Sequence, residues 1–201
     1  MGVTDTSRRE RNSMRESKRT QILDAAARVV QRDGVGSVTY DTVAAEAGLT
    51  KGGLVYHFPS REALILAVHQ RLADEWEATM AAAIDVGADE ATETQKLQGY
   101  ARAATQSSTR AELLMMLEGA TTAEHAAPWN AVLERWTPAP PAADADERTL
   151  ERFITRLAAD GLWAYESLAD RPLDPVVRGR LADLLAARFT DSDTGRDAFD
   201  E

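Results

Sequence analysis

The segment Thr39–Phe58 constrains this chain more than any other: it reads as two short helices joined by one glycine. Two helices that cross steeply need a small residue at the crossing, and Ala44 supplies it. The turn between them needs a left-handed backbone position, and Gly48 supplies that four residues on. The second helix must return an apolar side chain to the first, and Leu54 does so, with Val43 and Ala47 completing the buried side. Ala44-x3-Gly48-x5-Leu54 is therefore a spacing with a mechanism, that of the helix-turn-helix. A packed pair of helices with incidental polar residues is the plainer alternative.

The outer side of the second helix suits an anionic partner. Thr50 stands at its N-terminus, where backbone N–H groups and the helix dipole favour phosphate. Lys51 adds charge, Gly52 and Gly53 let backbone approach closely, and Tyr56 and His57 present polar tips one turn on.

The rest of the chain reads as all-α, with about nine helices and no period-two run. The first spans Ser17–Asp33, with Leu23, Ala26, Ala27 and Val30 on one face, and Gly34 ends it. Helices over Tyr40–Ala47 (Thr39 as N-cap) and Thr50–His57 follow, then a long one over Arg61–Val86. Thr92-x-x-Gln95 and Thr109-x-x-Glu112 are capping boxes that open helices running to Gln106 and Glu118. Further helices span Pro128–Trp136, Glu147–Leu168 and, after Asp174-Pro175, a stretch to Phe189. The expected divisions are a disordered basic arm over 1–16, a DNA-binding unit over 17–60, a ligand-binding and dimerising domain over 61–190, and an acidic tail over 191–201.

Composition enters here. The net charge of −10 argues against nucleic acid until it is divided along the chain. Residues 1–60 carry 9 Lys/Arg against 7 Asp/Glu, while residues 61–201 carry 14 against 26. The acid excess thus lies outside the helix-turn-helix. No cysteine is present, which removes disulfides, thiolate catalysis and cysteine-based metal sites. No apolar run approaches the ~18 residues of a membrane span, and no signal-peptide pattern opens the chain, so a cytoplasmic protein without a membrane partner is expected. The three histidines, His57, His69 and His125, are scattered without ligand spacing, and no phosphate loop, nucleophile elbow or carboxylate dyad is visible. An enzyme, a cofactor and a metal are accordingly not expected.

The run Ile22–Leu64 resembles the TetR/AcrR family of bacterial transcriptional repressors. Ile-Leu-Asp-Ala-Ala matches its first helix, and Thr-Val-Ala-Ala-Glu-Ala-Gly-Leu-Thr-Lys-Gly-Gly-Leu-Val-Tyr-His-Phe-Pro-Ser-Arg-Glu-Ala-Leu (Thr42–Leu64) its second, third and early fourth. The resemblance implies an Ω-shaped all-α architecture: a three-helix DNA-binding head, then a helical ligand-binding and dimerising domain. It implies that Thr50, Lys51, Gly53, Tyr56 and His57 face DNA, Tyr56 and His57 on phosphates, and that Thr39 and Arg61 hold phosphate. Val55 departs from a frequent aromatic and Gly53 from a frequent Thr or Ala, so few direct base contacts are expected.

One reading helix gives little specificity, and dimers that read two half-sites are the usual solution. Leu150, Ile154, Leu157, Gly161 and Leu162 of the eighth helix and Val177, Leu181, Leu184 and Leu185 of the ninth form a patch that would pair with its twin as a four-helix bundle, unless it is internal core. Trp76, Tyr100, Met115, Met116, Trp129, Trp136, Phe153 and Trp163 suggest an adaptable cavity, though each taken singly is ordinary core. Glu118 either pairs with a cationic ligand or is a solvated helix-end charge. Leu157–Trp163, Arg135–Pro138 and Gly53–Arg61 resemble actinobacterial multidrug-sensing repressors, which implies a flat aromatic cation as effector.

The function these readings lead to is a ligand-responsive repressor. As a homodimer it binds palindromic operator DNA, and it releases that DNA when a small molecule enters between the fourth and eighth helices. A ~100-fold loss of affinity needs ~2.7 kcal/mol of coupling. An activator or co-repressor of the same family, or an all-helical interaction protein, is the alternative.

Overall fold

The structure is a computed structural model that describes residues 3–189, with side chains from residue 13 onward. Its described residues form nine α-helices and no strand: α1 (Val3–Asp33), α2 (Tyr40–Ala47), α3 (Lys51–His57), α4 (Arg61–Ala82), α5 (Glu93–Arg102), α6 (Arg110–Gly119), α7 (Ala123–Trp136), α8 (Glu147–Leu168) and α9 (Pro175–Ala187). A 3-10 turn over Val35–Ser37 follows α1, and a π-helical turn over Ala103–Ser107 continues α5.

Local chemistry sets most of these boundaries. Gly34, at φ 84°, ends α1. Thr39 caps α2 in a reciprocal box with Thr42, and Gly48 closes it in the left-handed region at φ 64° and ψ 31°. Thr92 and Gln95 form the expected box on α5. On α6, Glu112 Nα donates to Thr109 Oγ1 at 3.2 Å, while Thr109 donates back to the Glu112 carboxylate. Asp174 caps α9, with Pro175 as its first residue.

Three boundaries differ from expectation. The helix at the N-terminus begins at Val3, not Ser17, so residues 3–16 extend α1 where a disordered arm was expected. Neither Gly nor Pro interrupts the chain between Val3 and Asp33, and Arg, Glu and Met favour the helix. Helix α4 stops at Ala82, four residues early, and Asp85 in the chain beyond takes φ 58°. Helix α7 starts at Ala123 and carries Pro128 inside it. The alanines before the proline hold the added turn, although Pro128 leaves the Glu124 carbonyl without its helical donor. The expected acidic tail over 191–201 lies outside the described residues.

The chain forms two compact units. The first takes the described residues up to Leu72 together with Leu114–Pro128. Its core is built from Ile22, Ala26, Val29 and Val30 of α1, Val43 of α2, Leu54 of α3, and Leu64, Ile65 and Val68 of α4. The second takes Ala73–Leu113 and the residues from Trp129 onward. It buries Trp76, Met80, Leu97, Tyr100, Trp129, Trp136, Trp163 and Phe189. The division at Leu72 differs from the expected domain boundary at residue 60, and it assigns the α6–α7 corner to the unit that carries α2 and α3. Among the described residues, no helix is long and apolar enough to cross a membrane.

Candidate functional site

The Thr39–Phe58 segment has the geometry its spacing requires. Val43, Ala44, Ala47 and Leu54 are buried, and Leu49 Nα donates to the Ala44 carbonyl across the turn at 3.0 Å. Tyr40 Oη ties the start of α2 to the Phe58 carbonyl at 2.7 Å. Gln21 of α1 donates to the Ala47 carbonyl at 2.8 Å, so α1 braces the same turn.

With its apolar side satisfied inward, α3 presents Lys51, Gly52, Val55 and Tyr56 to solvent. Thr50 caps α3 by accepting from Gly53 Nα at 3.1 Å. A side chain added at Gly52 would meet nothing within 4 Å, whereas one at Gly53 would touch Thr50 Oγ1 at 3.4 Å. Lys51 Nζ lies 3.0 Å from the exposed Asp41 carboxylate.

Further cations of this site lie on the extended α1, where the basic run at the start of the chain is helical and not a disordered arm. Met14, Arg15 and Lys18 form a groove of about 450 Å³ with Gly48, Thr50, Gly53, Tyr56 and His57. The Arg15 guanidinium sits 5.5 Å above the Tyr56 ring, and Arg19 sits 5.2 Å from the Phe58 ring. Partial burial, then Arg15, Lys18 and Arg19 in that order, holds the His57 imidazole below its ordinary pKa. The signal was available in the i, i+3, i+4 spacing of Arg15, Lys18 and Arg19, which puts three cations on one helical face.

Arg61 departs from the phosphate role that the resemblance implies. Its Nε donates to the Val38 carbonyl at 2.8 Å and its Nη2 to the Val35 carbonyl at 3.3 Å. The guanidinium therefore clamps the 3-10 turn to the start of α4. Thr39 is likewise engaged as a cap, accepting from Thr42 Nα at 3.2 Å.

The expected ligand residues separate into three groups. Trp76 is the centre of an aromatic cluster, with Tyr100, Trp129 and Trp163 ring centroids at 5.5, 6.2 and 5.8 Å. These rings and Trp136 are buried, and they fill space as core. Trp136 Nε1 donates to Glu77 at 3.0 Å, but Trp76 Nε1 is buried without a hydrogen-bond partner among the described residues. Phe153 alone of the expected residues lines a cavity of about 500 Å³, alongside Thr92, Thr94, Leu97 and the Pro138–Pro141 loop. Arg148, Arg152 and Arg156, one helical turn apart on α8, line it too, with Glu93 as its one acidic residue. Arg152 Nη2 and Arg156 Nε are buried without a hydrogen-bond partner among the described residues. Arg156 stacks 5.4 Å from the Tyr100 ring, beside a Tyr100–Asp160 hydrogen bond of 2.5 Å. Burial raises the Asp160 carboxyl above its usual range, against the lowering effect of that bond and of Arg156.

Met115, Met116 and Glu118 belong to the first unit. Met115 is fully buried and Met116 half-buried. Glu118 is half-buried and engaged by two imidazoles: its Oε2 lies 2.8 Å from His69 Nε2 and 3.0 Å from His125 Nδ1. Two of the three scattered histidines, His69 and His125, thus converge, because α4, the end of α6 and α7 meet there.

The expected dimer residues are all outside the core. Leu150, Ile154, Leu157, Val177 and Leu184 are exposed, Gly161 has open space above it, and Leu162, Leu181 and Leu185 are half-buried. Ile154, Thr155, Ala158 and Leu162 of α8 face Leu181, Leu184 and Leu185 of α9 across an apolar groove of about 540 Å³.

Comparison with known proteins agrees with this geometry. Residues 22–68 match the family model for bacterial regulatory proteins of the tetR family, and residues 94–190 match a tetracyclin repressor-like C-terminal domain. The HTH-type transcriptional regulator RutR of Escherichia coli K12 is 36% identical over 66 residues, which cover 33% of this chain. The match spans 31% of RutR's own length. A TetR-family member from Streptomyces coelicolor A3 superposes with a TM-score of 0.55 at 21% identity, over 85% of this chain and 97% of that one. The multidrug binding protein EbrR, in its complex with imidazole, superposes at 0.52 and 24% identity, over 88% and 97%. The two family models lie in order along most of the chain, and the chain belongs to the TetR family of bacterial regulatory proteins.

Proposed function

We propose that the chain is a transcriptional repressor that binds a palindromic operator as a homodimer and leaves it when a small molecule occupies its C-terminal domain. The observation that carries this reading is the basic groove: Arg15 and Lys18 of α1 flank an α3 whose Thr50, Gly52, Tyr56 and neighbouring backbone stand open to solvent. Phosphates seated there would meet positive side chains on one side and a capped helix start on the other. The exposed apolar groove of α8 and α9 supports dimerisation, because a monomer would leave Ile154 and Leu184, each 62% exposed, in water.

The effector site is the cavity beside α8. Its buried atoms without partners among the described residues, Arg152 Nη2 and Arg156 Nε, are donors. A ligand that supplies acceptors, an aromatic or aliphatic carboxylate, satisfies them. Three guanidiniums against one carboxylate suit an anion better than the flat aromatic cation of the second resemblance.

Fluorescence anisotropy with DNA flanking the gene tests the main reading. Specific binding that weakens steeply with salt supports it, and the absence of binding at low salt overturns it. Release of bound DNA by carboxylates, but not by aromatic cations, supports the effector class.

A further inference from the structure

His69, Glu118 and His125 come from three helices of one unit and meet at a point. The chain holds three histidines and no cysteine, so two of its three strongest nitrogen ligands are gathered here. One carboxylate oxygen, Glu118 Oε2, lies within hydrogen-bonding distance of both imidazoles, at 2.8 and 3.0 Å. The two rings stack with centroids 4.7 Å apart and an interplanar angle of 28°. The three donor atoms all lie within 4.8 Å of one another.

We propose that this cluster is a binding site for a divalent first-row transition metal, Zn²⁺ in the first instance, with His69 Nε2, His125 Nδ1 and the Glu118 carboxylate as ligands. Zn²⁺ takes nitrogen and oxygen ligands at about 2.0–2.2 Å, which puts tetrahedral donors about 3.3–3.5 Å apart. The two N···O separations must widen by about half an ångström, and the two nitrogens must close by at most about 1.5 Å. The burial pattern permits this adjustment. His69 is fully buried and serves as a fixed anchor, while the Glu118 and His125 side chains are 32% and 14% exposed and can shift.

The backbone is shaped for the meeting. A Cβ at Gly119 would lie 3.2 Å from the His125 carbonyl oxygen and 3.3 Å from His69 Cε1, so glycine lets the α6–α7 corner close on the buried ring without a shift of a few tenths of an ångström. Thr121 Oγ1 donates to the Glu118 carbonyl at 2.8 Å and fixes the ligand-bearing end of α6. The donor set has two imidazoles, one carboxylate and no sulfur, which suits Zn²⁺, Ni²⁺ or Cu²⁺ over Mg²⁺ or Ca²⁺. Three protein ligands leave the fourth position to water or to an incoming donor. A bound ion would tie α4 to the α6–α7 corner inside the unit that carries α3.

The test uses full-length protein freed of metal by a chelator, then titrated with Zn²⁺ against a chromogenic competitor, and separately with Co²⁺ as a spectroscopic probe. One ion should bind per chain, and Co²⁺ should give the intense visible bands of low-symmetry coordination. His125→Ala and Glu118→Gln should each weaken binding at least about 100-fold, since even outer-shell changes cost 10–100-fold. His57→Ala should leave it unchanged. X-ray absorption of the Zn²⁺-loaded wild type, which needs no variant to fold, should show two imidazoles. An all-oxygen shell, no uptake, or uptake undiminished in both variants overturns the proposal.

Discussion

The contrast between Lys18 and Arg61 tests which of the two cations would meet phosphate on the proposed reading. By resemblance, Arg61 holds phosphate. In the structure it clamps two backbone carbonyls, while Lys18 lines the groove beside α3. Each phosphate cation contributes about 0.9 to the slope of log affinity against log salt, so a substitution present in both copies of a dimer removes about 1.8. From about 50 to 200 mM salt, Lys18→Gln should therefore lose about tenfold less affinity than wild type, with thermal stability unchanged. Arg61→Gln should do the reverse. It removes two charge-assisted hydrogen bonds at a largely exposed position, which is worth about 1–2 kcal/mol and a melting point about 3–6 °C lower. Its salt slope should stay near wild type. Anisotropy titrations at four salt concentrations and scanning calorimetry read the two quantities independently. If Arg61→Gln flattens the salt slope without lowering the melting point, or Lys18→Gln leaves the slope untouched, the assignment of the groove to phosphate is wrong.

Three further outcomes follow from the same geometry. Ile154→Glu with Leu184→Glu should give monomers in sedimentation velocity, since reburying side chains that are 62% exposed is worth about 1–2 kcal/mol each, counted in both copies. The His57 imidazole is held below its ordinary pKa, so the folded chain binds fewer protons there than the unfolded one; its stability should fall as pH drops through about 6.5, and His57→Gln should flatten that dependence in urea titrations. Asp41→Asn frees the exposed Lys51 and removes an acid from the DNA-facing side, so operator affinity and salt slope should both rise while stability changes by less than about 1 kcal/mol.

What the sequence discloses here is local. Gly48 is legible as a left-handed turn because the requirement and the residue share one position. The two capping boxes and the Asp174-Pro175 start are legible because their partners stand within three residues. The backbone contacts of Arg61 are not legible, for the opposite reason. Its acceptors, the Val35 and Val38 carbonyls, lie 26 and 23 residues away and exist only once the 3-10 turn is packed against α4. The aromatic residues illustrate the same limit. Composition marks Trp76, Trp129 and Trp163 as large and apolar, but only packing reveals that they sit ring against ring while Phe153 lines the cavity beside α8.

The cluster of His69, Glu118 and His125 carries that limit furthest, and it also changes how the chain should be divided. Read along the sequence, Glu118 closes a helix of the sensor half and can only be a surface charge or a ligand contact. Folded, it stands 49 residues from His69 in sequence and 2.8 Å away in space, in the same compact unit as α2 and α3. Helices α4, α6 and α7 each pass from one unit into the other, at Leu72, Leu113 and Pro128. Three helices that follow residue 60 thus have one end inside the unit that carries α2 and α3. Any group that fixes those ends to one another, whether the Glu118 carboxylate alone or an ion among the three side chains, acts within that unit.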